Sequence, residues 1–158
     1  IYAFVNYNVH MHHVKVKYKK LRETAVVPCY QSKLAAGMDL HSANSENIPI
    51  APGAIEMIPL GFAMALPDHY EAQVRPRSGL ASKFGVTLPN APGTIDADYR
   101  GEIGVILVNL SNTDFVVNDG ERVAQLVIAK YEQANFELVE ILSETERGTG
   151  GFGSTGNK

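Results

Sequence analysis

FVVNDGERVAQLVIAKY (residues 115–131) contains two apolar extended runs separated by a turn. The runs cover 115–117 and 122–131, and each is short enough to be a β-strand. Between them, Asn118-Asp119-Gly120 consists of residue types that favour tight turns. The segment therefore predicts a strand, a turn and a second strand, and the same pattern continues through most of the chain.

Other extended runs lie on both sides of this segment. Val14, Val16 and Tyr18 alternate with lysines, which predicts a half-buried strand with a basic solvated face. Further strands are predicted at 24–27, 55–60, 70–75, 103–108 and 136–142. One helix of about two turns is predicted at 78–84, with Ser78 as its N-cap. Short strands, regular turns and almost no helix predict an all-β fold, either a β-sandwich or a jelly roll.

The composition limits the possible partners. A chain of 158 residues suits one domain, and its 45% hydrophobic and 20% charged content is ordinary for a globular protein. Because the net charge is −3, no global positive field would hold a nucleic acid polymer or an anionic membrane. Any phosphate binding must therefore depend on a few placed cations and backbone amides.

The single cysteine and the hydropathy pattern bear on location. Cys29 has no intrachain partner for a disulfide, which favours a reducing compartment. No apolar run approaches the ~20 residues of a membrane span. We therefore expect a soluble protein of the cytoplasm or nucleus. Residues 1–12 are expected to be a disordered N-terminal extension, and the histidines near its end fit a mobile tail better than a metal site.

The C-terminal segment RGTGGFGSTG (147–156) surrounds one aromatic residue with glycines. Glycines allow backbone amides to approach an anion closely and allow a segment to order on binding. Arg147 can form paired hydrogen bonds with a phosphate, Ser154 and Thr155 can donate to its oxygens, and Phe152 can stack on a base. A flexible polar terminus has the same composition, so this segment alone leaves both readings open.

The segment RPRSGLAS (75–82) follows an alternating strand and precedes the predicted helix. Arg77, Ser78 and the amide of Gly79 meet at this junction, an arrangement that suits a bound phosphate. An ordinary strand end with a capping serine would look the same.

The segment NAPGTIDADYRGEIGV (90–105) predicts a hairpin that leads into an apolar strand. Asp96, Asp98 and Tyr99 lie near its tip. Carboxylates in such a place can orient water or bind a hydrated metal ion. Solvated turn carboxylates are the alternative, and they fit Asp98 better than Asp96.

Two weaker signals remain. AAGMDLHSA (35–43) places Asp39 shortly after a glycine break. GERVAQLVI (120–128) places one amide, Gln125, in an otherwise apolar strand. A buried glutamine needs hydrogen-bond partners, and a bound ligand is one candidate.

Together and in this order, the five segments resemble the five motifs of the homotrimeric dUTPases, from about residue 35 to residue 156. The resemblance implies a jelly-roll-like β-sandwich of the β-clip type over 13–142, with a flexible glycine-rich lid over 143–158. It also implies hydrolysis of dUTP to dUMP and pyrophosphate with Mg²⁺ as cofactor. Such an enzyme keeps dUTP out of DNA and supplies dUMP for thymidylate synthesis.

The resemblance also implies roles for individual residues. Asp39 would hold the hydrated Mg²⁺ through water, Arg77 and Ser78 would act on the phosphates, and Asp96 would orient the attacking water. Tyr99 would pack under the deoxyribose, and Phe152 would stack on uracil. The complete set of implied substrate-binding residues is Gly79, Asn90, Gly93, Thr94, Ile95, Tyr99, Gln125, Arg147, Phe152, Gly153, Ser154 and Thr155.

In this family three subunits build each active site. The motifs of Asp39, Arg77 and Gln125 come from one subunit, the hairpin comes from a second and the tail from a third. Met38 departs from the pattern, because many relatives carry an aromatic residue there, and altered packing is the expected consequence. A related dCTP deaminase is the first alternative, but no glutamate lies between Asn90 and Tyr99. A trimeric nucleotide-binding regulator is the second.

Overall fold

The structure is a computed structural model that describes residues 13–151. This part of the chain forms twelve strands and one helix. In chain order they are β1 (Lys17–Lys20), β2 (Cys29–Tyr30), β3 (Met38–His41), β4 (Ile48–Ile50), β5 (Ile55–Pro59), β6 (Phe62–Ala65), β7 (Tyr70–Arg75), α1 (Ser78–Phe84), β8 (Val86–Thr87), β9 (Gly93–Ile95), β10 (Gly104–Asn109), β11 (Phe115–Val117) and β12 (Arg122–Lys130).

The strands form antiparallel sheets around one core. The largest sheet has the order β2-β3-β12-β7-β9, and a second has the order β5-β10-β8. Two further pairs are β1 with β6 and β4 with β11. Alternate residues of these strands point inward, so Leu40, Ile58, Phe62, Leu107 and Leu126 are buried in the same apolar cluster. The predicted all-β architecture with one short helix is confirmed.

Two predicted strands are wrong. Residues 24–27 are irregular, and the neighbouring strand lies at Cys29–Tyr30. Residues 136–142 are also irregular, and Phe136 and Leu138 expose 94% and 100% of their surface. The apolar pattern of 136–142 is that of a strand, but a strand also needs a partner, and no strand within residues 13–151 pairs with it. β1 begins at Lys17, later than the alternation suggested.

The N-cap of the helix lies one residue earlier than predicted. Arg77, not Ser78, occupies the N-cap with an extended backbone, and no side chain caps the helix. Ser78 is already helical, so its predicted capping role is wrong. The helix ends at Gly85, whose left-handed conformation (φ 65°) lets its amide donate back to the last turn. Within residues 13–151 no helix is long and apolar enough to span a membrane.

Candidate active site

Three residues of the candidate motifs lie side by side across the largest sheet. In its central strands, Gln125 of β12 pairs with Asp39 of β3 on one side and with Arg75 of β7 on the other. Directly paired residues on antiparallel strands point to the same face of a sheet. The motifs around 35–43, 75–82 and 120–128 therefore meet on one face, as the resemblance implied.

Asp39 lies between two guanidinium groups on this face. Its Oδ1 is 3.4 Å from Arg77 Nε, and its Oδ2 is 3.3 Å from Arg122 Nη1. Arg77 Nη1 also donates to the backbone carbonyl of Arg122, at 3.0 Å. The Asp39 side chain is only 13% exposed, so this ion-pair cluster is partly shielded from water. With two cations and one anion it carries a net positive charge, which suits a phosphate chain.

Gln125 is anchored by the protein itself. Its Nε2 donates to the carbonyl of Pro76 at 2.9 Å, in the segment that leads to Arg77. Its Oε1 lies so close to Gly37 that a Cβ at this glycine would collide with it. The absence of a side chain at Gly37 thus gives the Gln125 amide its place beside Asp39.

The beginning of α1 is open to solvent next to the cluster. The first helical hydrogen bonds are donated by Leu80 and Ala81 to the Arg77 carbonyl, so the amides of Ser78 and Gly79 precede them. Both residues are exposed, and a Cβ built at Gly79 would meet nothing within 4 Å. An anion can therefore approach this backbone closely, with Arg77 beside it.

The β9 segment (residues 90–100) does not form the predicted hairpin, because β9 pairs with β7, whereas β8 and β10 pair with each other. Asp96 lies in this segment, at a distance from the cluster. It follows β9, in which Ile95 pairs with Ala72, three rungs along β7 from Arg75. With a rise of about 3.3 Å per residue and a strand spacing of about 4.8 Å, Asp96 lies on the order of 15–20 Å from Asp39. Asp96 is exposed, and its carbonyl accepts a hydrogen bond from the Tyr99 amide at 3.2 Å. One chain alone does not bring the two carboxylates together.

Tyr99 is held at the base of the same loop. Its hydroxyl donates to the carbonyl of Glu102 at 3.1 Å, and its ring lies against Gly101, where a Cβ would collide with the ring. Nearly half of the residue remains exposed. The local chain therefore fixes the ring in one orientation and leaves one side of it available to a ligand.

Four of the predicted substrate-binding residues lie in β9 or shortly before it: Asn90, Gly93, Thr94 and Ile95. This strand is the last one of its sheet in the part of the chain that the structure describes, so its outer edge carries backbone donors and acceptors that face away from the sheet. Gly93 is buried, Thr94 is exposed and Ile95 packs against the core. The Asn90 amide lies 3.1 Å from the position of a Cβ at Gly93, so a side chain there would make a tight contact with it.

Residues 143–151 of the predicted lid fall within the described range. Arg147 lies in a local turn, where its Nε donates to the Gly150 carbonyl at 2.8 Å. The remaining predicted tail residues lie outside the described range: Phe152, Gly153, Ser154 and Thr155.

Two residues of the cluster were not predicted from the sequence. Arg122 was overlooked although it contacts Asp39 directly. His41 pairs with Arg122 across the strands. Burial lowers the pKa of His41, and the nearby arginines lower it further against the opposing effect of the Asp39 carboxylate. These surroundings therefore disfavour the charged form of His41. Met38 packs against the core.

The cluster also fits a metal ion that arrives with a substrate. Within residues 13–151 no group of three or more histidine, cysteine, aspartate and glutamate side chains can hold a metal. Mg²⁺ is commonly bound through one or two carboxylates, retained waters and substrate phosphates. Asp39 supplies one such carboxylate beside a basic phosphate-binding surface, so it suits a hydrated Mg²⁺ bound to a polyphosphate.

The fold and site define a class of protein. A basic sheet face beside an open helix start can bind a phosphate chain, and a separate exposed carboxylate can act on water, which together suit a hydrolase of phosphate compounds. Comparison with known proteins agrees. The family model of the dUTPases matches residues 23–156. The chain belongs to the dUTPase family.

The relatives cover nearly the whole chain. A deoxyuridine 5'-triphosphate nucleotidohydrolase of Rickettsia prowazekii is 56% identical over 144 residues, which are 90% of this chain and 97% of the relative. The corresponding protein of Rickettsia akari is 56% identical over 147 residues, 92% of this chain and 99% of the relative.

Solved structures agree with the fold. The dUTPase of Staphylococcus bacteriophage 80alpha with dUpNHpp is 28% identical, has a TM-score of 0.82, and is matched over 90% of this chain and 98% of its own. A dUTPase of phage phi11, at 24% identity and a TM-score of 0.75 over 82% of this chain and 99% of its own, supports the fold alone. The jelly-roll-like β-sandwich expected from the sequence is thereby confirmed.

Proposed function

We propose that this chain is a Mg²⁺-dependent dUTP pyrophosphatase that hydrolyses dUTP to dUMP and pyrophosphate. The observation that carries the proposal is the meeting of Asp39, Arg77 and Gln125 on one sheet face, next to the open amides of Ser78 and Gly79. The names of the relatives at 56% identity support the choice of substrate. The reaction keeps dUTP out of DNA and supplies dUMP for thymidylate synthesis.

The phosphate chain binds on the basic face. Arg77, Ser78 and the Gly79 amide contact the phosphate oxygens, and Gln125 lies beside the chain at the centre of the sheet. A Mg²⁺ ion held by Asp39 through water neutralises phosphate charge when it is bound. As the pyrophosphate leaves, these fixed donors stabilise the charge that develops on it, which is the main catalytic demand in phosphoryl transfer.

Asp96 orients the attacking water. Its carboxylate is exposed and lies directly after the edge strand β9, so it can accept a proton from a water directed at the α-phosphorus. Asp98 lies in the same turn without an assigned role. A carboxylate that acts on water must reach the phosphate of a bound substrate, and Asp96 cannot do so in its own chain.

The β9 segment also selects the nucleoside. Asn90 and the backbone of Gly93, Thr94 and Ile95 read the edge of uracil, because β9 presents its free edge there. The β9 segment lies against C5 of uracil and excludes the methyl group of thymine. Such a misfit in a pocket costs about 1–3 kcal/mol of binding free energy. The Tyr99 ring lies under the deoxyribose and leaves no room for a ribose 2′-hydroxyl.

The enzyme works as a homotrimer with shared sites. The separation of Asp96 from Asp39 supports this proposal, in which the β9 segment of a second subunit completes each site. The exposed apolar side chains of 136–142 support the same conclusion, because large apolar patches mark surfaces that another chain covers. In this proposal residues 13–142 form the sandwich domain of each subunit.

The tail comes from a third subunit. Residues 143–158 form a lid in which Arg147 binds the γ-phosphate end and Phe152 stacks on uracil. Gly153, Ser154 and Thr155 add backbone and hydroxyl contacts to the phosphates. Closure of the lid excludes bulk water and strengthens every electrostatic contact inside the site.

Two measurements test the proposal. Pyrophosphate release from dUTP is expected in the presence of Mg²⁺, with dCTP and UTP as control substrates that react poorly. Turnover of dCTP to a deaminated product would support the deaminase instead, and absence of any turnover would support a nucleotide-binding regulator. A light-scattering mass of three chains is expected, whereas the mass of one chain would contradict the shared site.

A further inference from the structure

Arg122 faces the site because of an irregularity in β12. Ala124 and Leu126 of this strand are buried in the core, so strict alternation would turn Arg122 toward the core as well. The pairing shifts between the two strands, however: Ala124 pairs with Leu40, and Arg122 pairs with the next residue, His41. Two residues of β12 thus oppose one step of β3, which is a β-bulge. Such bulges redirect a side chain and are frequent beside active sites.

The bulge brings Arg122 to the face of Asp39. Val123 and Ala124 are consecutive and both buried, so the alternation breaks between Arg122 and the rest of the strand. Beyond the break, Arg122 lies opposite His41 and reaches diagonally to Asp39 two residues away on the same face.

Arg122 contacts both charged partners of the cluster. Its Nη1 lies 3.3 Å from Asp39 Oδ2, while Arg77 Nε approaches the other oxygen at 3.4 Å. Its backbone carbonyl accepts a hydrogen bond from Arg77 Nη1 at 3.0 Å. Asp39 therefore has two cationic partners, and the proposed function assigns one of them, Arg77, to the phosphates.

We propose that Arg122 is the positioning residue of Asp39. This inference rests on the proposed function. When Arg77 turns from Asp39 to the phosphate chain, a carboxylate with only 13% of its side chain exposed would lose one of its two cations. Arg122 stays in place, keeps the carboxylate paired and holds its orientation toward the hydrated Mg²⁺ of the substrate. Its carbonyl keeps Arg77 within reach of both partners.

The chain offers a matched control. Arg75 lies on the same sheet face and pairs with Gln125, but its guanidinium bonds to Gln73 Oε1 at 3.0 Å and 2.6 Å. Arg75→Ala removes the same charge from the same face without a direct contact to Asp39. A general electrostatic effect on the nucleotide would therefore appear in both alanine variants, and a positioning effect only in Arg122→Ala.

The experiment measures binding of dUpNHpp, in which an imido bridge replaces an oxygen of the phosphate chain, by calorimetry with Mg²⁺ and with EDTA. In Arg122→Ala the factor by which Mg²⁺ tightens binding is expected to fall about 10-fold, since outer-shell partners of metal ligands commonly change metal affinity by 10–100-fold. Arg122→Lys should recover part of this factor, and Arg75→Ala should retain it within about 3-fold. If Arg122→Ala folds poorly, Arg122→Gln replaces it, because it removes the charge but keeps most of the side chain.

A double-mutant cycle identifies the partner. In an Asp39→Asn background, Arg122→Ala is expected to have little further effect on the Mg²⁺ factor, because there is no carboxylate left to position. An effect of the same size in both backgrounds, or an equal loss in Arg75→Ala, would overturn the inference. Failure of the wild-type chain to bind dUpNHpp or to hydrolyse dUTP is a separate result, which would contradict the proposed function itself.

Discussion

The Asp39 cluster and the β9 segment are two carboxylate sites of opposite construction. Asp39 is mostly buried and lies between Arg77 and Arg122, on strands at the centre of the largest sheet. Asp96 is exposed at the end of an edge strand, and the contact that orients its loop is a backbone hydrogen bond from Tyr99. In the proposed function, the phosphate-binding half of the site is thus complete within one chain, whereas the water-activating half is presented outward.

The difference has a physical reason. Phosphate binding needs several charged groups in fixed mutual positions, and neighbouring strands provide this most directly. Activation of one water needs a single carboxylate on a rigid support. An edge strand can present such a carboxylate to a neighbouring molecule. Each of the following changes tests the proposed difference in role between these two regions.

The largest effect is expected from Asp96→Asn. It should reduce kcat by roughly 10³-fold or more with a modest change in substrate affinity, because the amide cannot accept the proton of the attacking water. Single-turnover rates and dUpNHpp affinity measure the two quantities separately. Asp98→Asn in the same turn is the matched control, and it should retain kcat within about 3-fold. Wild-type turnover in Asp96→Asn would remove Asp96 from its role.

Removal of 147–158 is expected to have the next largest effect. The truncated chain should keep its fold and oligomeric mass but lose on the order of 10²-fold in kcat/KM, because the lid no longer excludes water from the site. Circular dichroism and light scattering check the fold and assembly, and steady-state kinetics check the activity. Normal hydrolysis of dUTP by the truncated chain would show that the lid is not needed.

Gly101→Ala is expected to have a smaller and more selective effect. A Cβ at this position would collide with the Tyr99 ring and displace it from the Glu102 carbonyl. The preference for dUTP over UTP, measured as a ratio of kcat/KM values, should fall about 10-fold. Tyr99→Phe removes the hydroxyl but keeps the ring, so it should retain more of the preference than Gly101→Ala. An unchanged ratio in Gly101→Ala would contradict the role of the fixed ring.

The sequence predicted much of this fold from local patterns. The alternation at 70–75 and the apolar run at 122–131 correspond to strands β7 and β12, and the helix at 78–84 was predicted with its observed bounds. These elements find their partners within the chain. Residues 136–142 have an equally good strand pattern, but it was a wrong prediction for the single chain, because pairing depends on a neighbour that local sequence does not specify.

The site was predicted in part for the same reason. Asp39, Arg77 and Gln125 could be grouped from the sequence because their segments resemble family motifs. In the structure Gln125 pairs with Asp39, and Arg77 contacts Asp39. Arg122 was overlooked because period-two alternation assigns it to the core side of β12, and only the bulge reverses that side. A charged residue at a core position of a strand was the available signal. Its meaning depended on a pairing shift that propensities do not report.

Mixing two inactive variants tests the division between the regions most directly. Arg77→Ala removes a cation of the cluster, and Asp96→Asn removes the carboxylate of the β9 segment. Each homo-oligomer should therefore be nearly inactive. If the cluster of one subunit forms a site with the β9 segment of another, random reassembly of equal amounts of the two variants should restore about one quarter of the sites. Recovery of dUTP hydrolysis to about that level, measured after refolding the two chains together, is the predicted result. Mixed oligomers that remain as inactive as the separate variants would contradict it.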